Sequence, residues 1–178
     1  KQSRFCGYMP TSSFTADELH CLGVSCDSTS KIPPFFPEPP FGMQTVPSVG
    51  EDLQLLFVGR YAPNKGHKHM MRILANYLDR FGQKVRLTWV GKPSLGDPSY
   101  INELQTLGNE LGLGPYLRVL GQVSQDELEE LYASAHLFLL VSEHEGFCVP
   151  VVECQSRGLP VVALNAGAVA ETLGPEQV

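Results

Sequence analysis

Short apolar runs alternate with helical patterns from residue 53 to the end of the chain. The runs predict five buried strands, at Leu53–Val58, Val85–Val90, Leu117–Leu120, His136–Val141 and Val161–Leu164. Between the first three strands, apolar residues recur at the spacing of amphipathic helices. These residues are Met70, Leu74, Tyr77, Leu78 and Phe81 in the first helix, and Ile101, Leu104, Leu107 and Leu111 in the second. Alternating strands and helices predict an α/β fold, with a parallel sheet and helices on both faces.

Several local signals predict where the helices begin and end. Ser124–Glu127 has the residues of a capping box, and Gly112 suits the left-handed position that closes a helix. Pro150 fits the first turn of the helix before the fifth strand, and Gly158–Pro160 ends that helix. A last helix opens near Ala168 and is cut off by the end of the chain.

The first 50 residues have a different character. Phe5–Met9 has the composition of a strand, and Ser13 is placed to cap a short helix that ends at Gly23. The proline-rich stretch Lys31–Pro40 is incompatible with a regular helix or a central strand, so we predict an extended linker there. The chain opens without a methionine and stops as a helix begins, which predicts a segment of a longer protein.

Composition and charge narrow the classes of partner. The net charge is -6 and the sequence pI is about 5.3, whereas proteins that follow a phosphodiester backbone carry clustered Lys and Arg. We therefore predict no nucleic-acid partner. The longest strongly apolar run, Leu137–Val141, is far shorter than the roughly 20 residues that cross a bilayer. No membrane span is predicted, and peripheral membrane association stays open.

The cysteines and histidines predict neither disulfides nor a metal site. The five cysteines are odd in number and form no C-x-x-C pair, which favours a reducing, cytoplasmic location. His67 and His69 lie two positions apart, but no recognisable ligand spacing surrounds them. We predict solvated histidine side chains around a helix start, and no cofactor.

Candidate chemistry begins in the loop that follows the first strand. Arg60 comes just after the strand and Lys65 just before the helix, so two cations would face an anion at the carboxyl edge of the sheet. Gly59 and Gly66 would allow the backbone to approach a ligand closely. The loop is thus a candidate phosphate site, with ordinary solvated side chains as the alternative.

A second candidate loop follows the fourth strand and carries two carboxylates. Glu145 lies in the loop beside a glycine, where its carboxylate would accept hydrogen bonds from ligand hydroxyls. Glu153 lies in the first turns of the next helix, where stabilisation of the helix dipole is an alternative explanation. The N–H groups available to a diphosphate at the helix start belong to Phe147, Cys148 and Val149.

The spacing Glu-Gly-Phe-x-x-Pro-x-x-Glu at residues 145–153 resembles the E-x7-E motif of retaining GT-B glycosyltransferases, the glycosyl transferases of group 1. Four further segments resemble the donor-binding domain of that family in the same order: Gly59–Gly66, Val90-Gly91, Leu120–Ser124 and Gly158–Val162. The resemblance covers about residues 50 to 173. It implies a Rossmann-like domain, the C-terminal half of a GT-B fold.

The resemblance also implies roles for individual residues. Arg60 and Lys65 would neutralise the donor diphosphate, Glu145 would contact the sugar, and Glu153 would accept hydrogen bonds from the ribose hydroxyls. Arg60, Lys65 and Glu145 are the predicted catalytic residues. The predicted donor-binding residues are Gly59, Arg60, Lys65, Gln122, Val123, Glu145, Gly146, Phe147, Cys148, Val149 and Glu153, with Gly121, Gln122 and Val123 bordering the nucleobase.

Two positions in the resembling segments carry open questions. Glu171 matches a recurrent acidic position of the family, but its role does not follow from the sequence. Cys148 stands where many relatives have glycine, which puts in doubt how closely that backbone approaches the phosphates.

The implied reaction is transfer of a sugar from a nucleoside diphosphate, GDP- or UDP-linked, with GDP-mannose as the first guess. The chain contains no D-x-D motif, so Arg60, Lys65 and the helix amides would stabilise the leaving diphosphate without a metal ion. Retention of anomeric configuration is implied by the family alone. A hexosyltransferase, such as a mannosyltransferase in polysaccharide biosynthesis, is the predicted enzyme.

The same resemblance predicts two domains. Residues 1–42 would be a βα remnant of the N-terminal acceptor domain plus the linker, and residues 43–178 the donor domain, truncated at its C-terminus. A sugar or lipid-linked acceptor would bind the missing N-terminal domain, so the chain alone is predicted to be inactive. A sugar-nucleotide epimerase of the same fold and a non-catalytic nucleotide-sugar-binding subunit remain as alternatives.

Overall fold

The computed structural model describes residues 7–35, 47, 52–82, 84–93 and 98–174. Its strands form one five-stranded parallel sheet, in the order β3-β2-β1-β4-β5. The strands are β1 (Leu53–Val58), β2 (Val85–Val90), β3 (Leu117–Leu120), β4 (Leu137–Leu140) and β5 (Val161–Ala163). The α-helices are α1 (Ser13–Cys21), α2 (His67–Phe81), α3 (Pro98–Glu110), α4 (Gln125–Ser134), α5 (Val149–Ser156) and α6 (Val169–Thr172).

The order of the strands places helices on both faces of the sheet. The chain moves outward from β1 to β3, then returns to the other side of β1 to form β4 and β5. Because parallel crossovers are right-handed, this reversal puts α2 and α3 on one face and α4 and α5 on the other. The predicted α/β architecture is confirmed.

The core lies between the sheet and these helices. Its largest fully buried side chains include Trp89, Phe57 and Phe138 from the three central strands. On α2, the buried residues His67, Met70, Met71 and Leu74 follow the spacing of one helical face. Phe81, which was predicted to continue this apolar face, is 64% exposed because it is the last residue of the helix.

Two of the predicted helix ends, at Ser124 and at Gly112, are confirmed. Ser124 Oγ accepts from the Glu127 N–H, and the Glu127 carboxylate accepts from the Ser124 N–H at 2.8 Å, as a capping box requires. Gly112 has a φ of 64° after α3, and its N–H donates to the Asn109 carbonyl. The positive φ explains the glycine, because glycine adopts this left-handed conformation without a steric penalty.

Two strands are shorter than their apolar runs. β4 begins at Leu137 rather than at His136, whose backbone N–H donates to the Gln54 carbonyl and whose ring Nδ1 accepts from the Gln54 N–H, both at 2.9 Å. β4 also ends before Val141, and β5 ends before Leu164. The last helix begins after Ala168, as predicted, and has four residues.

The N-terminal segment differs from the prediction in its first elements. The N-cap of α1 is Ser12 rather than Ser13, since Ser12 Oγ accepts from the Thr15 N–H at 3.0 Å. Positions 5 and 6 of the predicted strand lie outside the described residues, and positions 7–9 hold only an isolated bridge from Tyr8 to Thr29. Residues 31–35 of the predicted linker contain neither helix nor strand, and 36–40 lie outside the described residues.

Candidate functional site

The two candidate loops leave neighbouring strands at one edge of the sheet. β1 pairs with β4, and the strand order reverses between them. Parallel α/β sheets bind ligands in the crevice that opens beyond the carboxyl ends of the strands at such a switch point. The loop at 59–66 follows β1 and the loop at 141–148 follows β4, so both border this crevice.

Close backbone contact holds the two loops together. Gly66 has a φ of 71°, and a Cβ atom at this position would lie 2.1 Å from the Val141 carbonyl oxygen. No other residue fits there, which explains the glycine at the start of α2. The Glu143 N–H also donates to the Asn64 carbonyl at 2.8 Å. These contacts fix the position of Lys65 relative to the second loop.

An ion pair joins two of the three predicted catalytic residues, Lys65 and Glu145. Lys65 Nζ lies 2.7 Å from Glu145 Oε1, and the two side chains are 15% and 8% exposed. The backbone of Glu145 is also fixed, because the Ala168 N–H donates to its carbonyl oxygen at 2.7 Å. The ammonium group has three donors and uses one on Glu145, so it keeps hydrogen-bonding capacity for an anion.

Arg60 is placed differently from Lys65. Its side chain is exposed, and within the described part of the chain no hydrogen bond or ion pair holds its guanidinium group. The backbone on either side is fixed, since the Gly59 N–H donates to Val90 and the Tyr61 N–H to Lys92. The structure therefore holds the base of Arg60 at the edge of the sheet without bringing its charge to the Lys65–Glu145 pair.

The start of α5 has an unusual backbone at Cys148. Its φ of 66° makes it the single non-glycine residue with a positive φ among the residues described. This geometry costs a residue with a side chain about 1–2 kcal/mol, whereas glycine would adopt it without that cost. The thiol is buried, and burial together with the negative charge of Glu145 raises the pKa of Cys148 to about 12. Cys148, the N-cap of α5, makes no side-chain cap hydrogen bond; Pro150 has no N–H, and the Val151 N–H donates to the Cys148 carbonyl at 3.1 Å.

Glu153 is the fifth residue of α5, and its surroundings favour a role other than the helix dipole. The first turn of α5 contains no acidic residue, and dipole stabilisation falls off beyond that turn. Its half-buried carboxylate instead accepts a hydrogen bond from the Tyr132 hydroxyl, with Oε2 at 2.8 Å. Sequence analysis missed this partner on α4.

The loops after β1, β2 and β3 run along the same edge of the sheet. A Cβ atom on Gly91 would lie 1.9 Å from the Gly59 carbonyl oxygen, and the Gly91 N–H donates to the Gly121 carbonyl at 3.2 Å. Gln122 is exposed and Val123 is half-buried at the end of this row. The structure thus places both residues at the predicted edge, in the loop of the outermost strand.

Glu171, which had no assigned role, holds the N-terminus of α1. Its carboxylate accepts from the N–H groups of Ser13 and Phe14, both at 2.7 Å. Burial alone would raise the pKa of Glu171, but these two hydrogen bonds lower it overall. The segment before α1 reaches the second loop as well, because Thr11 Oγ1 donates to the Gly146 carbonyl at 3.3 Å. The N-terminal segment therefore borders the crevice.

His67 contradicts the prediction of solvated histidines. It is fully buried, and burial lowers its pKa to about 4, so the ring is neutral at physiological pH. The aromatic rings around it belong to Phe57, Tyr61, Trp89 and Tyr100. His69 is exposed and lies 3.4 Å from Glu143. In the described ranges, no cluster of three or more His, Cys, Asp or Glu residues is arranged to hold a metal ion.

Fold and site together define an α/β domain with a largely buried Lys65–Glu145 pair at the switch point of its sheet. The chain belongs to the family of glycosyl transferases group 1, whose model matches residues 43–178. This match covers most of the chain and includes every predicted site residue.

Two relatives of known name match this chain over most of its length. The D-inositol 3-phosphate glycosyltransferase of Corynebacterium kroppenstedtii is 32% identical over 120 residues, which are 67% of this chain and 27% of that protein. The MMP alpha-(1->4)-mannosyltransferase of Mycolicibacterium hassiacum is 34% identical over 114 residues, 64% of this chain and 26% of that protein. The matched region is thus about a quarter of the length of each relative.

Solved structures share the fold. The Anabaena protein Alr3699/HepE, in complex with UDP-glucose, superposes with a TM-score of 0.83 at 24% identity, over 95% of this chain and 47% of that one. The lipopolysaccharide outer core galactosyltransferase WaaB gives a TM-score of 0.72 at 20% identity, over 96% and 46%. The chain therefore spans about half of these proteins. No helix in the described residues has the length and apolar character to cross a membrane.

Proposed function

We propose that this chain is the donor-binding part of a retaining GT-B glycosyltransferase and binds a nucleoside diphosphate sugar in the crevice between β1 and β4. The Lys65–Glu145 ion pair carries the proposal, because it puts a cation and a carboxylate side by side at the switch point, where the diphosphate and the sugar of a donor would need them. The Anabaena structure with UDP-glucose supports the ligand class.

In the proposed complex, the diphosphate lies between Lys65 and the start of α5. Lys65, Arg60 and backbone N–H groups at the start of α5 stabilise the negative charge that grows on the leaving phosphate as the glycosidic bond breaks. The guanidinium group of Arg60 is exposed and has no partner among the described residues, so in this proposal it turns toward the phosphate when the donor arrives. Two cations would take the place of a metal ion, and no cofactor is required.

The two glutamates have separate ligands in this proposal. Glu145 accepts hydrogen bonds from the transferred sugar through its second oxygen, while Oε1 stays on Lys65. Glu153 accepts from the ribose hydroxyls through the oxygen that Tyr132 leaves unused. Gln122 and Val123 border the nucleobase at the outer end of the crevice.

The donor and acceptor belong to the proposal as well. GDP-mannose remains the first choice of donor, and the mannosyltransferase among the relatives supports mannose as the sugar. A UDP-linked hexose is the alternative, supported by the Anabaena complex with UDP-glucose. A sugar or lipid-linked acceptor would bind residues outside the chain, in a cytoplasmic pathway of polysaccharide assembly. The relatives compared are named glycosyltransferases, so the epimerase alternative gains no support.

Four binding measurements test the proposal, with Glu145→Gln and Glu153→Gln each titrated with UDP and UDP-glucose, or with GDP and GDP-mannose. Glu145→Gln should leave the affinity for the nucleoside diphosphate nearly unchanged and weaken the sugar conjugate, since only the conjugate carries the transferred sugar. Glu153→Gln should weaken both ligands, because both contain the ribose.

Glu130→Gln is the matched control, because Glu130 is an exposed glutamate on α4 and should not affect either ligand. Circular dichroism checks that all variants fold. Equal effects of Glu145→Gln on the two ligands would remove its contact with the sugar from the proposal. The unsubstituted chain should bind the donor without transferring its sugar. Transfer to an added acceptor would contradict the proposal that the acceptor binds residues outside this chain.

A further inference from the structure

Glu153 is held by a network of side chains that joins α4 to α5. The Tyr132 hydroxyl donates to Glu153 Oε2 at 2.8 Å, and Arg157 Nη1 donates to the Glu153 carbonyl oxygen at 2.8 Å. One member of the network thus fixes the carboxylate and another fixes the backbone of the same residue.

Tyr132 itself has little freedom to move. Its side chain is 2% exposed, and the guanidinium carbon of Arg157 lies 4.8 Å from the centre of its ring. Burial raises the pKa of Tyr132 well above its ordinary value, so the hydroxyl keeps its proton and remains a donor. Because a buried hydroxyl without an acceptor is costly, the Tyr132 hydroxyl is held on the Glu153 carboxylate.

Arg157 is fixed in turn by Glu129. Arg157 Nε and Nη2 donate to the two carboxylate oxygens of Glu129 at 2.7 and 2.6 Å, and both side chains are buried. Gln125 adds a hydrogen bond to Glu129 Oε1 at 2.8 Å. The bidentate contact therefore fixes the orientation of the planar guanidinium, which packs on the tyrosine ring.

We infer that Tyr132, fixed by the Arg157–Glu129 pair, is a positioning residue that directs the Glu153 carboxylate toward the ribose of the donor. This inference rests on the proposed function. The hydrogen bond occupies Oε2 and stops rotation of the carboxylate, so that Oε1 has a fixed place before the donor arrives. A group ordered in advance loses less conformational entropy on binding, which raises affinity for the ribose and leaves the phosphates unaffected.

The test uses the 178-residue chain with Tyr132→Phe, which removes the hydroxyl and keeps the ring on Arg157. The probes are UDP, GDP and inorganic pyrophosphate, the last of which has two phosphates and no ribose. Tyr132→Phe should weaken the nucleoside diphosphate about three- to tenfold and leave pyrophosphate unchanged. Tyr77→Phe on α2, whose ring packs against Phe81, is the control and should change neither affinity.

A double-mutant cycle separates positioning from a structural effect. Glu153→Gln should weaken the nucleoside diphosphate less in the Tyr132→Phe background than in the unsubstituted chain, because the carboxylate has already lost its fixed place. Additive effects, an unchanged affinity for UDP and GDP, or an equal loss for pyrophosphate would overturn the inference. If the unsubstituted chain binds neither UDP nor GDP, the proposed function fails and this inference fails with it.

Discussion

Two largely buried ion pairs, Lys65–Glu145 and Arg157–Glu129, have opposite surroundings. Lys65 and Glu145 lie in loops at the carboxyl edge of the sheet and share one contact of 2.7 Å. Arg157 and Glu129 join two helices through a bidentate contact, with further hydrogen bonds to Gln125 and to the backbone of α5. Burial is similar in both pairs, whereas the number of hydrogen-bonding positions that are filled is very different.

This difference separates a candidate binding site from a structural connection. Both oxygens of Glu129 have partners, so a ligand would have to break existing hydrogen bonds to reach them. Glu145 has one oxygen on Lys65, and among the described residues no partner is recorded for the other. A buried charge with unused capacity is costly in the absence of a ligand, and such groups are typical of functional sites.

The largest expected effect tests the Arg157–Glu129 pair, called the structural pair below. Glu129→Ala leaves the buried guanidinium of Arg157 without its partner, which should lower the free energy of unfolding by about 3–5 kcal/mol. Chemical denaturation measures the loss. The neighbouring exposed residue supplies the control, since Glu130→Ala should change stability by less than about 0.5 kcal/mol. Similar losses for both variants would mean that the Arg157–Glu129 pair contributes no special stability.

The second prediction concerns the Lys65–Glu145 pair and the exposed Arg60. Arg60→Ala combined with Lys65→Ala should weaken nucleoside diphosphate binding at least about a hundredfold, because charge-assisted hydrogen bonds contribute about 1.5–3 kcal/mol each. Isothermal titration calorimetry measures the affinity.

The single variants Arg60→Ala and Lys65→Ala separate an effect on binding from an effect on stability. Arg60→Ala should leave stability unchanged, whereas Lys65→Ala should also lower it, since Glu145 is then a buried carboxylate without its cation. Unchanged affinity in the double variant would place the phosphate site elsewhere on the molecule.

The smallest effect is a pH dependence that belongs to the structural pair. The hydrogen bonds from Arg157 lower the pKa of Glu129 below its ordinary value of 4.5. A carboxyl group with a lowered pKa in the folded state adds stability above its unfolded pKa and loses it as the pH falls through the folded value. The difference in stability between the unsubstituted chain and Glu129→Gln should therefore be constant above pH 4.5 and shrink below it. Denaturation at several pH values measures this difference, and a gap that widens in acid would contradict the assignment.

The elements of the fold were predictable because their signals are local. The alternation of apolar runs and helical patterns identified all five strands, and the capping box at Ser124 and the left-handed Gly112 have the predicted geometry. The two candidate loops also follow from sequence, because a loop after a parallel strand must lie at the carboxyl edge of the sheet. The boundaries were less certain, as the shorter β4 and the cap at Ser12 illustrate.

The tertiary structure alone decided which side chains meet. Lys65 and Glu145 are 80 positions apart, and Glu171 reaches Ser13 across 158 positions. No sequence pattern predicted that Tyr132 and Arg157 contact Glu153. His67 is buried among aromatic rings from four different segments of the chain. Periodicity and capping act over a few residues, so the sequence determined the elements. Contacts between elements depend on strand order and on the hand of the crossovers, which bring together residues that no local pattern connects.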